Sequence, residues 1–142
     1  MSSHEPFMQR AIALARRGEG LTRPNPPVGA VLVRNGKIIA EGFHKKAGGP
    51  HAEVNCLKSA ACSLRSATLY ITLEPCCTFG RTPPCTGLIL ERGVKRVVIG
   101  TEDPNPAHAG RGIRLLRRAG VEVITGVCRA EAETLIAPFA KR

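Results

Sequence analysis

The chain has 142 residues, 43% of them hydrophobic, which is enough to build one domain around its own core. Lysine and arginine outnumber aspartate and glutamate by 21 to 11, a net charge of +10, so the surface suits a phosphate-bearing partner rather than a basic one. No apolar run reaches the length of a membrane-spanning helix, and residues 1–19 lack the apolar stretch of a secretory signal, so a cytoplasmic location without a membrane partner is expected.

Phe7, Ile12, Leu14 and Ala15 fall at helical spacing and predict a helix over residues 6–17, closed at Gly18. Residues 22–27 form a Pro/Asn loop. A β-rich strand over 28–33 and a second over 37–43 flank Asn35-Gly36, the strongest short hairpin signal. Gly48-Gly49-Pro50 breaks the chain before a helix expected over 51–61. A strand over 67–73 runs into an irregular loop, 74–84, whose Thr82-Pro83-Pro84 reads as an N-cap with prolines in the first helical positions. The helix that follows should run to about Arg92 and stop at Gly93. Then come a strand over 96–100, a polar loop over 101–110, a helix over 112–119, a strand over 121–125 and a helix over 129–139. An opening hairpin followed by alternating strands and helices gives a mixed five-stranded sheet covered by helices on both faces.

Six cysteines are many for such a chain, and adjacent Cys76-Cys77 with Cys85 nearby read as metal binding rather than as a disulfide scaffold. Cys56, Cys62 and Cys128 lie among apolar or small residues and read as small buried hydrophobes. His51, Cys76 and Cys85 supply the three protein ligands of a catalytic zinc site, whose open fourth position takes water and makes it acidic. A proton carrier is then needed beside the metal, and Glu53 is the candidate. His51 and Glu53, two apart, would diverge on a regular helix. They converge only at a helix entrance, which is where Gly48-Gly49-Pro50 puts them. A fourth ligand, Cys77, would instead close the site into a structural one.

H-x-E followed by P-C-x-x-C is the signature of zinc deaminases acting on nucleobases. His51-Ala52-Glu53 and Pro75-Cys76 match it, but position 79 is Phe, and eight residues separate Cys76 from Cys85. With that spacing, His51-Ala52-Glu53-Val54, the run from Thr72 to Cys76 (TLEPC) and the run from Gly80 to Cys85 (GRTPPC) resemble the deaminase domain of riboflavin biosynthesis. Pro24-Asn25-Pro26-Pro27-Val28-Gly29 and Asp103-Pro104-Asn105-Pro106 match it too, and the resemblance runs from about Phe7 to Ala140. It implies a three-layer α/β/α cytidine-deaminase-like fold in a single deaminase domain, residues 1–142, without the reductase domain to which the family is often fused. It implies Zn2+ on His51, Cys76 and Cys85, and Glu53 as proton shuttle. It implies that 2,5-diamino-6-(5-phosphoribosylamino)pyrimidin-4(3H)-one loses its ring amine as ammonia, either in riboflavin synthesis or in a branch making an azapteridine-type compound. Asn25 would bond the ring or ribose, His44 would line the pocket, and Arg81 with Asp103 and Asn105 would hold the phosphoribosyl part. Asn25, Asp103 and Asn105 are also natural turn residues. Cys77-Thr78 stands where the family commonly has Ser-His. Relatives assemble through helix faces, so a homo-oligomer, dimer or larger, is expected.

Two other readings compete. The net charge favours a nucleoside or tRNA deaminase, but no Trp, one Tyr and four Phe leave few platforms for stacking bases, so no nucleic-acid partner is expected. A non-catalytic zinc module that binds phosphate would not need Glu53. Arg114, Arg117 and Arg118 share a helical face that reads as a solvated basic surface.

Overall fold

Asn35 and Gly36 adopt positive φ values of 52° and 74°, the conformation that a two-residue hairpin turn demands and that glycine accepts without strain. They join β1 (Gly29–Arg34) to β2 (Lys37–Phe43) in the computed structural model, which describes residues 3–60, 64–76 and 85–139. The register shifts between Leu32 and Val33, which pair with Ala40 and Ile38, so Ile39 is the extra residue of a bulge.

Around the hairpin the chain adds α1 (Glu5–Arg16), α2 (Ala52–Lys58), β3 (Thr68–Leu73), α3 (Cys85–Glu91) and β4 (Arg96–Thr101). It ends with α4 (Arg111–Arg118), β5 (Glu122–Thr125), α5 (Arg129–Ile136) and a 3-10 turn at Ala137–Phe139. The five strands lie in the order β2-β1-β3-β4-β5, with β1 antiparallel to both neighbours and β3, β4 and β5 mutually parallel. This is the mixed sheet that the alternation of elements predicts. The second helix is shorter than the expected 51–61, ending at Lys58. Cys62 and the Thr82-Pro83-Pro84 cap lie outside the described residues.

Strand alternation sorts the core into two halves. Leu32, Leu69, Ile71, Val97 and Ile99 face α2, α3 and α4, where Cys56, Leu57, Ile89 and Leu116 meet them. Val31, Val33, Tyr70 and Val98 face the other way, onto Met8, Ile12 and Ala15 of α1 and Leu135 and Ile136 of α5. Each Val, Leu, Ile or Met among them contributes about 1.5–3 kcal/mol when fully buried. The outcome is a three-layer α/β/α sandwich. Cys56 is a buried core residue, as expected. Cys128 is not: it is half-buried at the entrance to α5, with a left-handed φ of 56°, because the chain turns there. Arg114, Arg117 and Arg118 are exposed, and Arg117 donates to the carbonyl of Val123 at 3.0 Å. Among the described residues, no helix is long and apolar enough to cross a membrane.

The topology gathers one edge of the sheet into a site. Because β1 runs against β3, the loop that enters β1 lies beside the segment that leaves β3. The parallel strand β4 delivers its own C-terminal loop to the same edge, and the entrance of α2 faces them. Ligand crevices form outside the carboxyl ends of such parallel strands.

Candidate active site

His51 stands just outside α2 as its N-cap, in an extended conformation with φ −71° and ψ 166°. That break from helical geometry lets its ring and the Glu53 side chain turn toward one cleft, which both line. Asn55 steadies the entrance by donating to the carbonyl of Phe43 at 2.9 Å. Cys76 follows β3 by three residues, and Cys85 is the first residue of α3. The Cys85 N–H donates to Cys76 Sγ at 3.3 Å.

One ligand atom from each of His51, Cys76 and Cys85 lies within 4.8 Å of the others. His51 Nδ1 is 3.2 Å from Cys85 Sγ and 3.9 Å from Cys76 Sγ. A tetrahedral zinc ion, with bonds near 2.05 Å to nitrogen and 2.3 Å to sulfur, needs nitrogen and sulfur about 3.6 Å apart. The two separations bracket that value, so the donor set fits the ion in number, chemistry and spacing.

The protonation pattern points the same way. A hydrogen bond from Cys85, aided by His51, holds the Cys76 thiol below the ordinary thiol range, which favours its thiolate form. The negative Cys76 sulfur and burial together push the Cys85 thiol up. The His51 imidazole is raised by its bond to Cys76. The cluster thus concentrates negative charge on sulfur and shares protons around it, and a divalent cation can take the place of those protons. Glu53 is 3% exposed, and burial raises its carboxyl above the usual range; it also bonds Cys85. A carboxyl with raised affinity for a proton, next to a metal-ligand cluster, suits proton transfer.

His51, Glu53 and Cys76 line a cleft of about 310 Å³ together with Asn25, His44, Asp103 and Asn105. His44 is buried, and its ring meets that of His51 edge-on, with centroids 5.4 Å apart. Its Nδ1 lies 3.0 Å from the Pro50 carbonyl, which can only accept, so the proton sits on Nδ1. Nε2 is then an acceptor and faces the Asn25 amide nitrogen at 3.4 Å, leaving the Asn25 carbonyl oxygen for other partners. Asp103 Oδ1 accepts from the Asn105 N–H at 2.9 Å, and Asn105 Oδ1 from the Ala107 N–H at 3.0 Å. Both side chains therefore build turns as well as cleft wall. Arg81 and Cys77-Thr78 lie outside the described residues.

Sequence reasoning gave no role to two further groups. Glu74 is a buried carboxylate on the cleft wall, and His108 lines the cleft from the loop before α4. The turn pattern of that loop hides His108, and the partners of Glu74 are all backbone groups, which leave no mark in a sequence.

Residues 1–101 match the profile of the cytidine and deoxycytidylate deaminase zinc-binding region. The chain is 57% identical over 129 residues to the riboflavin biosynthesis protein RibD of Actinobacillus pleuropneumoniae, covering 91% of this chain and 34% of that protein. It is 47% identical to a diaminohydroxyphosphoribosylamino-pyrimidine deaminase of Buchnera aphidicola, covering 96% of this chain and 92% of the relative. Among solved structures it is similar to a deaminase/reductase of Thermotoga maritima, with a TM-score of 0.92 and 55% identity, covering 96% of this chain and 40% of that one. The chain thus spans about a third of the length of the RibD relative and nearly all of the Buchnera one.

Proposed function

The chain belongs to the cytidine and deoxycytidylate deaminase zinc-binding family, and from that premise we propose that it hydrolyses 2,5-diamino-6-(5-phosphoribosylamino)pyrimidin-4(3H)-one to the 5-aminouracil product and ammonia. The reading rests on one observation above all: His51, Cys76 and Cys85 converge within 4.8 Å beside a buried carboxyl, Glu53, on the wall of a cleft. The names of relatives that share about half of the residues support the choice of heterocycle.

Zinc held by His51, Cys76 and Cys85 would supply the Lewis acidity that lets water attack at neutral pH. Glu53 takes the proton that the attacking water gives up and hands it to the departing amine. One C–O bond forms, one C–N bond breaks, and water is consumed as ammonia leaves. Burial raises the proton affinity of the Glu53 carboxyl, which favours taking a proton from the attacking water. Asn25, its amide oriented by His44, offers an oxygen to ring or ribose donors. Asp103 and Asn105 wall the sugar side, and Arg81 takes the phosphate, a pairing that a guanidinium makes in bidentate fashion. This is an early step of riboflavin biosynthesis.

The test is ammonia release from the freshly made pyrimidine, under anaerobic conditions, by zinc-loaded wild type beside Glu53→Ala. Turnover by the wild type alone, with one equivalent of zinc on both proteins, is the expected result. Equal rates would reduce the site to a non-catalytic zinc module. No turnover by either protein at full zinc occupancy would remove this substrate.

A further inference from the structure

Glu74 stands between β3 and the Pro75-Cys76 pair, so it links the sheet to a metal-facing sulfur. It is 5% exposed, and both of its oxygens are filled by backbone. Oε1 accepts from the Asp103 N–H at 3.0 Å and the Gly110 N–H at 2.9 Å, and Oε2 from the Ile113 N–H at 3.1 Å. Asp103 and Gly110 bracket the loop between β4 and α4, and Ile113 lies in the first turn of α4. One carboxylate thus ties down both ends of the segment that carries Asp103, Asn105 and His108 to the cleft. The joint is tight, since a methyl group on Gly112 would come within 2.4 Å of the Pro75 carbonyl oxygen and 3.3 Å of Glu74 Oε2.

The geometry points to Glu74 as a positioning residue that sets the 103–110 loop against the metal cluster and so governs how tightly the substrate is held. It moves no proton in the reaction. The anchoring stands on the hydrogen bonds alone; the effect on substrate rests on the function proposed above. A carboxylate can satisfy all three N–H groups because it is an acceptor throughout. An amide cannot: Glu74→Gln turns an N–H donor toward one of them, so one arm of the joint is lost while size and fold are kept.

The first readout needs no substrate. In the zinc-loaded wild type, the Asp103 and Gly110 amides should exchange with solvent at least about 100-fold more slowly than free loop amides. In Glu74→Gln the amide oxygen keeps the Asp103 and Gly110 pair and the NH2 meets the Ile113 N–H, so the exchange of the Ile113 amide should quicken by about tenfold or more, with β1 and β3 unchanged. The second readout is a double-mutant cycle. Asn105→Ala should raise KM about tenfold in the wild type but less than about twofold in Glu74→Gln, whose own kcat stays within about threefold of wild type. Unprotected Asp103 and Gly110 amides in the wild type would overturn the proposal. So would additive effects on KM, or a fall in kcat at unchanged KM. If Glu74→Gln does not fold, the wild-type exchange rates decide the anchoring, and Gly112→Ala, which strains the same joint from the other side, replaces it in the cycle. Protected amides in a protein that releases no ammonia would sink the proposed substrate and leave the anchor standing; turnover with unprotected amides would do the reverse.

Discussion

Gly42→Ala tests the link between sheet packing and the site. Gly42 lies on β2 where α2 crosses it, and an added Cβ would stand 2.4 Å from the Cys56 nitrogen, 2.8 Å from the Ala52 oxygen and 3.0 Å from the Asn55 carbonyl carbon. All three are backbone atoms and cannot rotate aside. Ordinary contact begins at 3.4 Å, so α2 must retreat by about 1 Å. Ala52, Cys56 and Leu57 of α2 are fully buried, so the movement opens the core and should lower the unfolding free energy by about 1–3 kcal/mol. For a domain of this size that is a fall in Tm of about 3–10 °C. The larger effect is on chemistry, because the entrance of α2 carries His51 and Glu53. A displacement of about 1 Å in a reacting group lowers turnover about 100-fold. Thermal unfolding and ammonia release on the same preparation read both effects. A variant with Tm within about 1 °C of wild type and unchanged turnover would refute this account of how α2 is seated.

The other expectations are simpler. Cys85→Ala removes a proposed zinc ligand that is 2% exposed, so bound zinc measured by atomic absorption should fall well below one equivalent; a full equivalent would remove Cys85 from the site. Added zinc at 100 times its Kd should stabilise the wild type by about 2.7 kcal/mol and the Cys85→Ala variant far less, as followed by denaturant unfolding. Equal stabilisation would place the ion elsewhere. Glu53→Gln replaces a buried carboxyl by a neutral group of the same shape, so stability should hold within about 1 kcal/mol of wild type or rise. A loss above about 2 kcal/mol would make Glu53 a structural rather than a catalytic group. Gly36→Ala meets nothing within 4 Å but must hold φ at +74°, so it should lose about 1 kcal/mol of stability and leave turnover unchanged.

The sheet was legible because its signals are local. Asn35-Gly36 fixes the hairpin, and Gly93 closes a helix with φ at 80°. His51 was legible as a residue outside the helix because the spacing to Glu53 makes sense only at a helix entrance. What stayed hidden depends on distant backbone. The bulge at Leu32/Val33 arises from pairing with β2 and has no composition of its own. Glu74 reads as one residue of a cysteine motif, yet its partners lie 29 to 39 residues further on and are N–H groups that every sequence supplies. Cys128 looks like a core residue from its apolar neighbours, but it occupies a left-handed turn that leaves it half-buried. The side chains of Asp103 and Asn105 accept the hydrogen bonds of local turns and also line the cleft, so the turn reading does not remove them from the site wall.

The most direct test of the central claim is mass analysis of the product formed in 18O-labelled water by the zinc-loaded protein. Hydrolytic deamination puts one solvent oxygen into the pyrimidine ring for each ammonia released. A product carrying that single label, absent with Glu53→Ala, is the predicted result. An unchanged diaminopyrimidine at full zinc occupancy, or ammonia without labelled product, would contradict it.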